Sequence, residues 1–129
     1  MFNFLRKSKQ IIPPFEVLKS SPIKDTYFYR IAQWYWMNND NIAIIDPHGS
    51  RVITLDPWPQ KVFLDALGKI TVTEYVDYVS SEYKKNVPVR LDETILLMID
   101  KLVKERLILL SNIPVELGPG YIQPKTINK

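Results

Sequence analysis

The chain has no cysteine among its 129 residues and a single histidine, His48. Disulfides, thiolate nucleophiles and zinc–cysteine sites are thereby excluded. One imidazole cannot build a histidine-rich metal site. Glycine is scarce as well: Gly49, Gly68, Gly118 and Gly120 are the whole complement, and they do not recur at the spacing of a phosphate-cradling loop. Long apolar runs are missing, and no stretch nears the ~18 residues that span a bilayer. The opening Met-Phe-Asn-Phe-Leu-Arg-Lys-Ser-Lys-Gln puts its charges after a short apolar patch, the reverse of a secretion signal. The expectation is a cytoplasmic protein with no membrane segment, metal or cofactor.

Strong charge of either sign is also missing from the middle of the chain. Residues 1–25 carry five bases and two acids, residues 26–112 ten bases and eleven acids, and residues 113–129 two bases and one acid. The net +3 therefore sits on the flanks. A duplex-binding domain carries its phosphate-neutralising charge on the folded unit, so nucleic acid is a poor partner for this one.

What is present is a folded middle with clear punctuation. Residues 1–26, with Pro13, Pro14 and Pro22, read as an extended N-terminal arm that docks through Phe15, Val17 and Leu18. Residues 113–129, with Pro114, Gly118, Pro119, Gly120 and Pro124, read as an irregular tail. Between them, Tyr27 to Met37 has the aromatic and β-branched content of one strand. Asn38 to Asn41 make a turn, Ile42 to Ile45 a second strand, Asp46-Pro47-His48-Gly49 another turn, and Arg51 to Leu55 a third strand. This is an antiparallel meander.

Three helices are predicted after it. Asp56 caps the first, Pro57 opens it, and Gly68 closes it as a left-handed C-cap. Thr71 with Glu74 forms the capping box of the second, whose apolar stripe is Val72, Tyr75, Val76 and Val79 and which ends near Lys84. Asp92 starts the third, where Ile95, Leu96, Ile99, Leu102, Val103 and Leu107 keep helical spacing. Leu107 to Leu110 form a short strand or wing. The fold class is α+β: a winged helix-turn-helix over 27–112, a three-stranded antiparallel meander followed by three helices.

No catalytic centre assembles from these residues. His48 lies in a solvated turn with no nucleophile to activate. Asp92 reads as a helix cap, and Asp100 pairs with Lys104 at i,i+4 spacing. Trp34, Tyr35 and Trp36 could form a stacking platform for bases or peptides, but a strand packing alternate rings on the helices is the better reading. Arg90, Lys101, Lys104 and Arg106 occupy the recognition position of a helix-turn-helix, yet Asp92, Glu93, Asp100 and Glu105 offset them.

Ile44 to Asp56, a strand, a Pro-His-Gly turn and a second strand ending in Leu55-Asp56, resembles the opening of the PqqD-like family. Gly68-Lys69-Ile70-Thr71-Val72-Thr73-Glu74-Tyr75-Val76 is similar to that family's Gly-x-x-Thr-Val-x-Glu-Ile-Val box, with Tyr75 in place of isoleucine. Lys104 to Ile108 resembles its closing stretch, so the likeness covers residues 42–110. It implies a non-enzymatic domain that captures the leader segment of a precursor peptide and presents it to a modifying enzyme, often a radical-SAM protein. The leader would add a strand to the sheet edge and lie against the third helix. Carried onto this sequence, Arg51, Val52, Ile53 and Thr54 would offer the edge, with Leu97, Lys101 and Lys104 as the opposite wall. The rival readings are a DNA-binding winged-helix regulator and a structural or assembly protein, a homodimer whose sheet edge and aromatic strand pair with a copy of itself.

Overall fold

In the computed structural model, which describes residues 11–126, the run from Tyr27 to Met37 is not one strand. It forms β1 (Tyr27–Arg30) and β2 (Trp34–Trp36), which belong to different sheets. The burial pattern explains why they read as one. Phe28, Arg30, Ala32 and Trp34 are all buried at a period of two, so the alternation runs on through the joint. Hydrogen bonding changes partner there: Ile31 donates to the Leu107 carbonyl, whereas the Gln33 carbonyl accepts from Ile45.

The remaining elements are α1 (Glu16–Lys19), β3 (Ile42–Ile45), β4 (Val52–Ile53), α2 (Pro57–Asp65), β5 (Leu67–Thr71), α3 (Val72–Ser81), α4 (Leu91–Lys104), β6 (Ile108–Ser111) and α5 (Pro119–Ile122). One antiparallel sheet has the order β5-β1-β6 and the other β2-β3-β4. The second is the expected meander, in the register Trp34↔Ile44 and Ile44↔Ile53. Among the described residues, no helix is long and apolar enough to cross a membrane.

α3 buries the stripe that its spacing predicts. In α4, Ile95, Ile99 and Leu102 are buried as expected and Met98 joins them, whereas Leu96 and Val103 are half-buried and Leu107 lies past the end of the helix. Val72, Tyr75, Val76 and Val79 of α3, with Ile95, Met98, Ile99 and Leu102 of α4, close over Phe28, Trp34, Ile42, Ile44 and Phe63. Thr71 Oγ1 accepts from the Glu74 N–H at 3.2 Å, and Glu74 Oε1 accepts from the Thr71 N–H at 2.8 Å. The capping box is therefore complete.

Other boundaries move. α3 stops at Ser81 rather than near Lys84. Asp56 precedes α2 in extended backbone, but its side chain makes no cap bond. Gly68 does take a positive φ, 78°, yet as a residue of β5 and not as a helix cap. A Cβ there would meet the Val115 carbonyl at 2.8 Å, so the glycine serves a close chain crossing.

The flanks are docked on this frame. Phe15 and Leu18 are buried as expected, whereas Val17 faces solvent. Ile11 pairs in parallel with Asn86 in the connection between α3 and α4. The tail crosses β5, where Val115 donates to the Gly68 carbonyl, and goes on to α5. There the buried Arg30 guanidinium donates to the Tyr121 carbonyl at 2.7 Å and the Ile122 carbonyl at 3.1 Å, and also to Leu64 at the end of α2 at 2.6 Å.

Candidate functional site

β4 is an edge strand, and the ladder decides which of its residues matter. Asp46 N–H donates to the Arg51 carbonyl at 3.1 Å, so residues 46 and 51 form a hydrogen-bonded pair. Antiparallel ladders alternate bonded with non-bonded pairs. With Ile45 opposite Val52 and Ile44 opposite Ile53, Arg51 and Ile53 turn their main chain inward to β3. Val52 turns its own outward, and Thr54 follows directly after the end of β4. Among the described residues, no main-chain group bonds that outer side. Of the four predicted edge residues, the register turns Arg51 and Ile53 inward and Val52 outward. Ile53 packs its side chain against the core, while Val52 is 51% exposed.

The opposite edge of the same sheet is already taken. By the same alternation Trp34 turns outward from β2, and its carbonyl accepts the Lys125 N–H at 2.7 Å. The protein's own tail covers this side.

Arg51 ties β4 to α4. Its Nε donates to Asp46 Oδ2 at 2.8 Å, and a second guanidinium nitrogen lies 3.6 Å from Glu105, the residue that ends α4. The His48 N–H donates to the other Asp46 oxygen at 2.8 Å. The Arg51 bond and then the His48 bond hold the Asp46 carboxyl below its usual range, and Asp46 in turn raises Arg51. Asp46 and Glu105, which together fix this corner, stand out in no motif of the sequence. Only the turn chemistry around Asp46 hints at it.

On α4, Lys101 lies one turn before Glu105 and Leu97 one turn before Lys101, so the three form a stripe on the helix side that Arg51 reaches. Leu97 is 69% exposed, and Lys101 makes no ion pair among the described residues. Lys104 pairs with Asp100 at 3.0 Å and lies further toward solvent. Of the three predicted wall residues, Leu97 and Lys101 share a stripe with Glu105, and Lys104 is engaged on its own helix.

The start of α4 is closed. Leu91 and Asp92 are buried, and Asp92 Oδ2 accepts the Leu18 N–H from the arm at 2.9 Å. Asp92 is thus an anchor for the arm and not the expected cap. Trp34 is buried in the core and meets the half-exposed Trp36 edge-to-face at 5.7 Å, so the three aromatic residues form no common platform. Among the described residues, no three His, Cys, Asp or Glu side chains gather as metal ligands.

No family model matches the chain, and neither a curated protein nor a solved structure shows significant similarity to it.

Proposed function

We propose that this chain is a non-enzymatic, PqqD-like winged-helix module that captures an extended leader peptide on β4 and presents it to a modifying enzyme. The order α2, β5, α3, α4, β6 after the meander supports the winged-helix reading, being helix, strand, helix, helix, strand. The observation that carries the function is the unpaired outer side of β4 beside the Leu97–Lys101 stripe. A peptide strand laid there would exchange main-chain hydrogen bonds with Val52 and Thr54 and rest side chains against Leu97 and Lys101. Arg51 would act as a strut, holding strand and helix at a fixed spacing through Asp46 and Glu105.

Two rival readings fare worse on specific grounds. A helix-turn-helix reads bases with the first residues of its recognition helix, and here Leu91 and Asp92 are buried, Asp92 being held by the arm, while the exposed Arg90 is paired with Glu93. Self-association through β2 would compete with the Lys125 contact.

The test is an NMR titration of the 15N-labelled chain with synthetic leader segments of precursors modified by radical-SAM enzymes. Saturable shifts at the Val52 and Thr54 amides, together with Leu97, Lys101 and Glu105, support the proposal. Shifts confined to the arm or tail count against it. Sizing at two protein concentrations separates capture from dimerisation, and titration with random duplex at low salt tests the regulator reading.

A further inference from the structure

An apolar hollow of about 200 Å³ opens between β5 and α3, lined by Phe28, Asp65, Leu67, Ile70, Tyr75 and Tyr78 together with Gly68 and Lys69. It is smaller than a drug-sized pocket and suits one side-chain-sized group. Phe28 meets Tyr75 edge-to-face at 5.1 Å, and Tyr78 stacks on Tyr75 at 6.2 Å. Tyr78 is 48% exposed, so its ring is open to a guest.

The charges around this aromatic group are arranged for a cation. Asp65 Oδ2 accepts the Tyr75 hydroxyl at 2.7 Å and lies 3.2 Å from the Lys61 ammonium. That ammonium is also 3.4 Å from Glu82 and 5.6 Å from the centre of the Tyr78 ring. Burial disfavours the charged lysine, but Asp65 and Glu82 outweigh it, and its pKa lies above the ordinary value. Desolvation first, then the Asp65 hydrogen bond, keeps the Tyr75 phenol protonated by raising its pKa. α3 carries Glu74 and Asp77 and no base, but neither acid lines the hollow, whereas Lys69 of β5 does.

We propose that this hollow binds an organic ammonium group on a small apolar body, and that Lys61 is a resident placeholder for it. Ring faces attract cations through their quadrupole, more strongly where water is excluded. Asp65 and Glu82 share Lys61, and Lys69, which lines the hollow, is paired with Glu116 at 3.6 Å, so three carboxylates around the hollow face two bases and leave one negative charge for a guest to balance. The guest's apolar part would fill the space between Leu67, Ile70 and Phe28. A free amine and a lysine side chain of another protein share this chemistry.

The experiment titrates the labelled full chain with phenethylammonium and with the neutral 2-phenylethanol, in the native protein and in Lys61→Met. The ammonium is expected to give saturable shifts at Leu67 to Ile70, Tyr75 and Tyr78, with the alcohol about tenfold weaker. Lys61→Met should tighten the ammonium by about fivefold, because the competing internal cation is gone. Asp65→Asn, which keeps an acceptor for Tyr75, should weaken it. Equal affinity for the alcohol, no saturable shift, or unchanged affinity in Lys61→Met would each overturn the assignment. Comparing Nα-acetyl-lysine methylamide with phenethylammonium identifies the source: tighter binding of the former points to a lysine side chain, and of the latter to a free amine. The readout residues are distinct from Val52 and Thr54, so this result and that for peptide capture stand or fall separately.

Discussion

The main-chain N–H of Leu18 donates to Oδ2 of Asp92 at 2.9 Å, joining two positions 74 residues apart inside the protein. This bond holds α1 against the first turn of α4. Asp92→Ala leaves a buried donor without a partner, and the loss should be ~2 kcal/mol in urea unfolding. The same variant should still ignore duplex DNA at low salt if the covered face was never a nucleic-acid surface. A newly gained, steeply salt-dependent affinity would restore the regulator reading.

Arg30 is the second long-range fastener. Arg30 is 3% exposed, and its guanidinium lies 5.6 Å from the centre of the Trp34 ring and 5.9 Å from that of Phe63. Burial lowers its pKa, with Asp65 partly offsetting the effect. Arg30→Leu keeps apolar bulk but strands several carbonyls, so a loss of about 3 kcal/mol is expected. Amide exchange at Lys125 should quicken more than exchange at Val76 or Ile99. Uniform quickening would show that Arg30 supports the whole core and not the tail in particular.

Acid should weaken the corner beneath β4. Asp46 is held below its unfolded value, so its contribution is fully present above about pH 4, where an unfolded aspartate ionises. That contribution fades as pH falls through the lower, folded-state value. Asp46→Asn should flatten the stability curve between pH 5 and pH 2 by removing this component, as followed by thermal melts across that range. An unchanged acid limb would mean that Arg51 is not held there in solution.

Helix existence was legible because it rests on local chemistry. The Thr71–Glu74 box and the apolar stripes of α3 and α4 depend on neighbours three and four residues apart. The break at Ile31–Gln33 was not legible, because period-two burial continues across it and only distant partners, Leu107 and Ile45, distinguish the two halves. Gly68 illustrates the same limit: its positive φ was readable, but its cause lies 47 residues away at Val115. The strand expected over Arg51 to Leu55 forms only at Val52 and Ile53, so Arg51 and Thr54 lie just outside β4. Which of these edge residues turn outward depends on register, and composition does not encode register. The hollow beside β5 was missed because Tyr75 reads as part of an apolar helix stripe, with no hint that Asp65 joins it.

The joint at Ile31–Gln33 threads both sheets on a single length of chain. A guest drawn onto β4 would pull, through β3 and β2, on the ribbon that also centres the other sheet. The two sheets are thus expected to melt together, with amides of Phe28 and Ile44 exchanging at one common rate; separate rates would reveal two independent units.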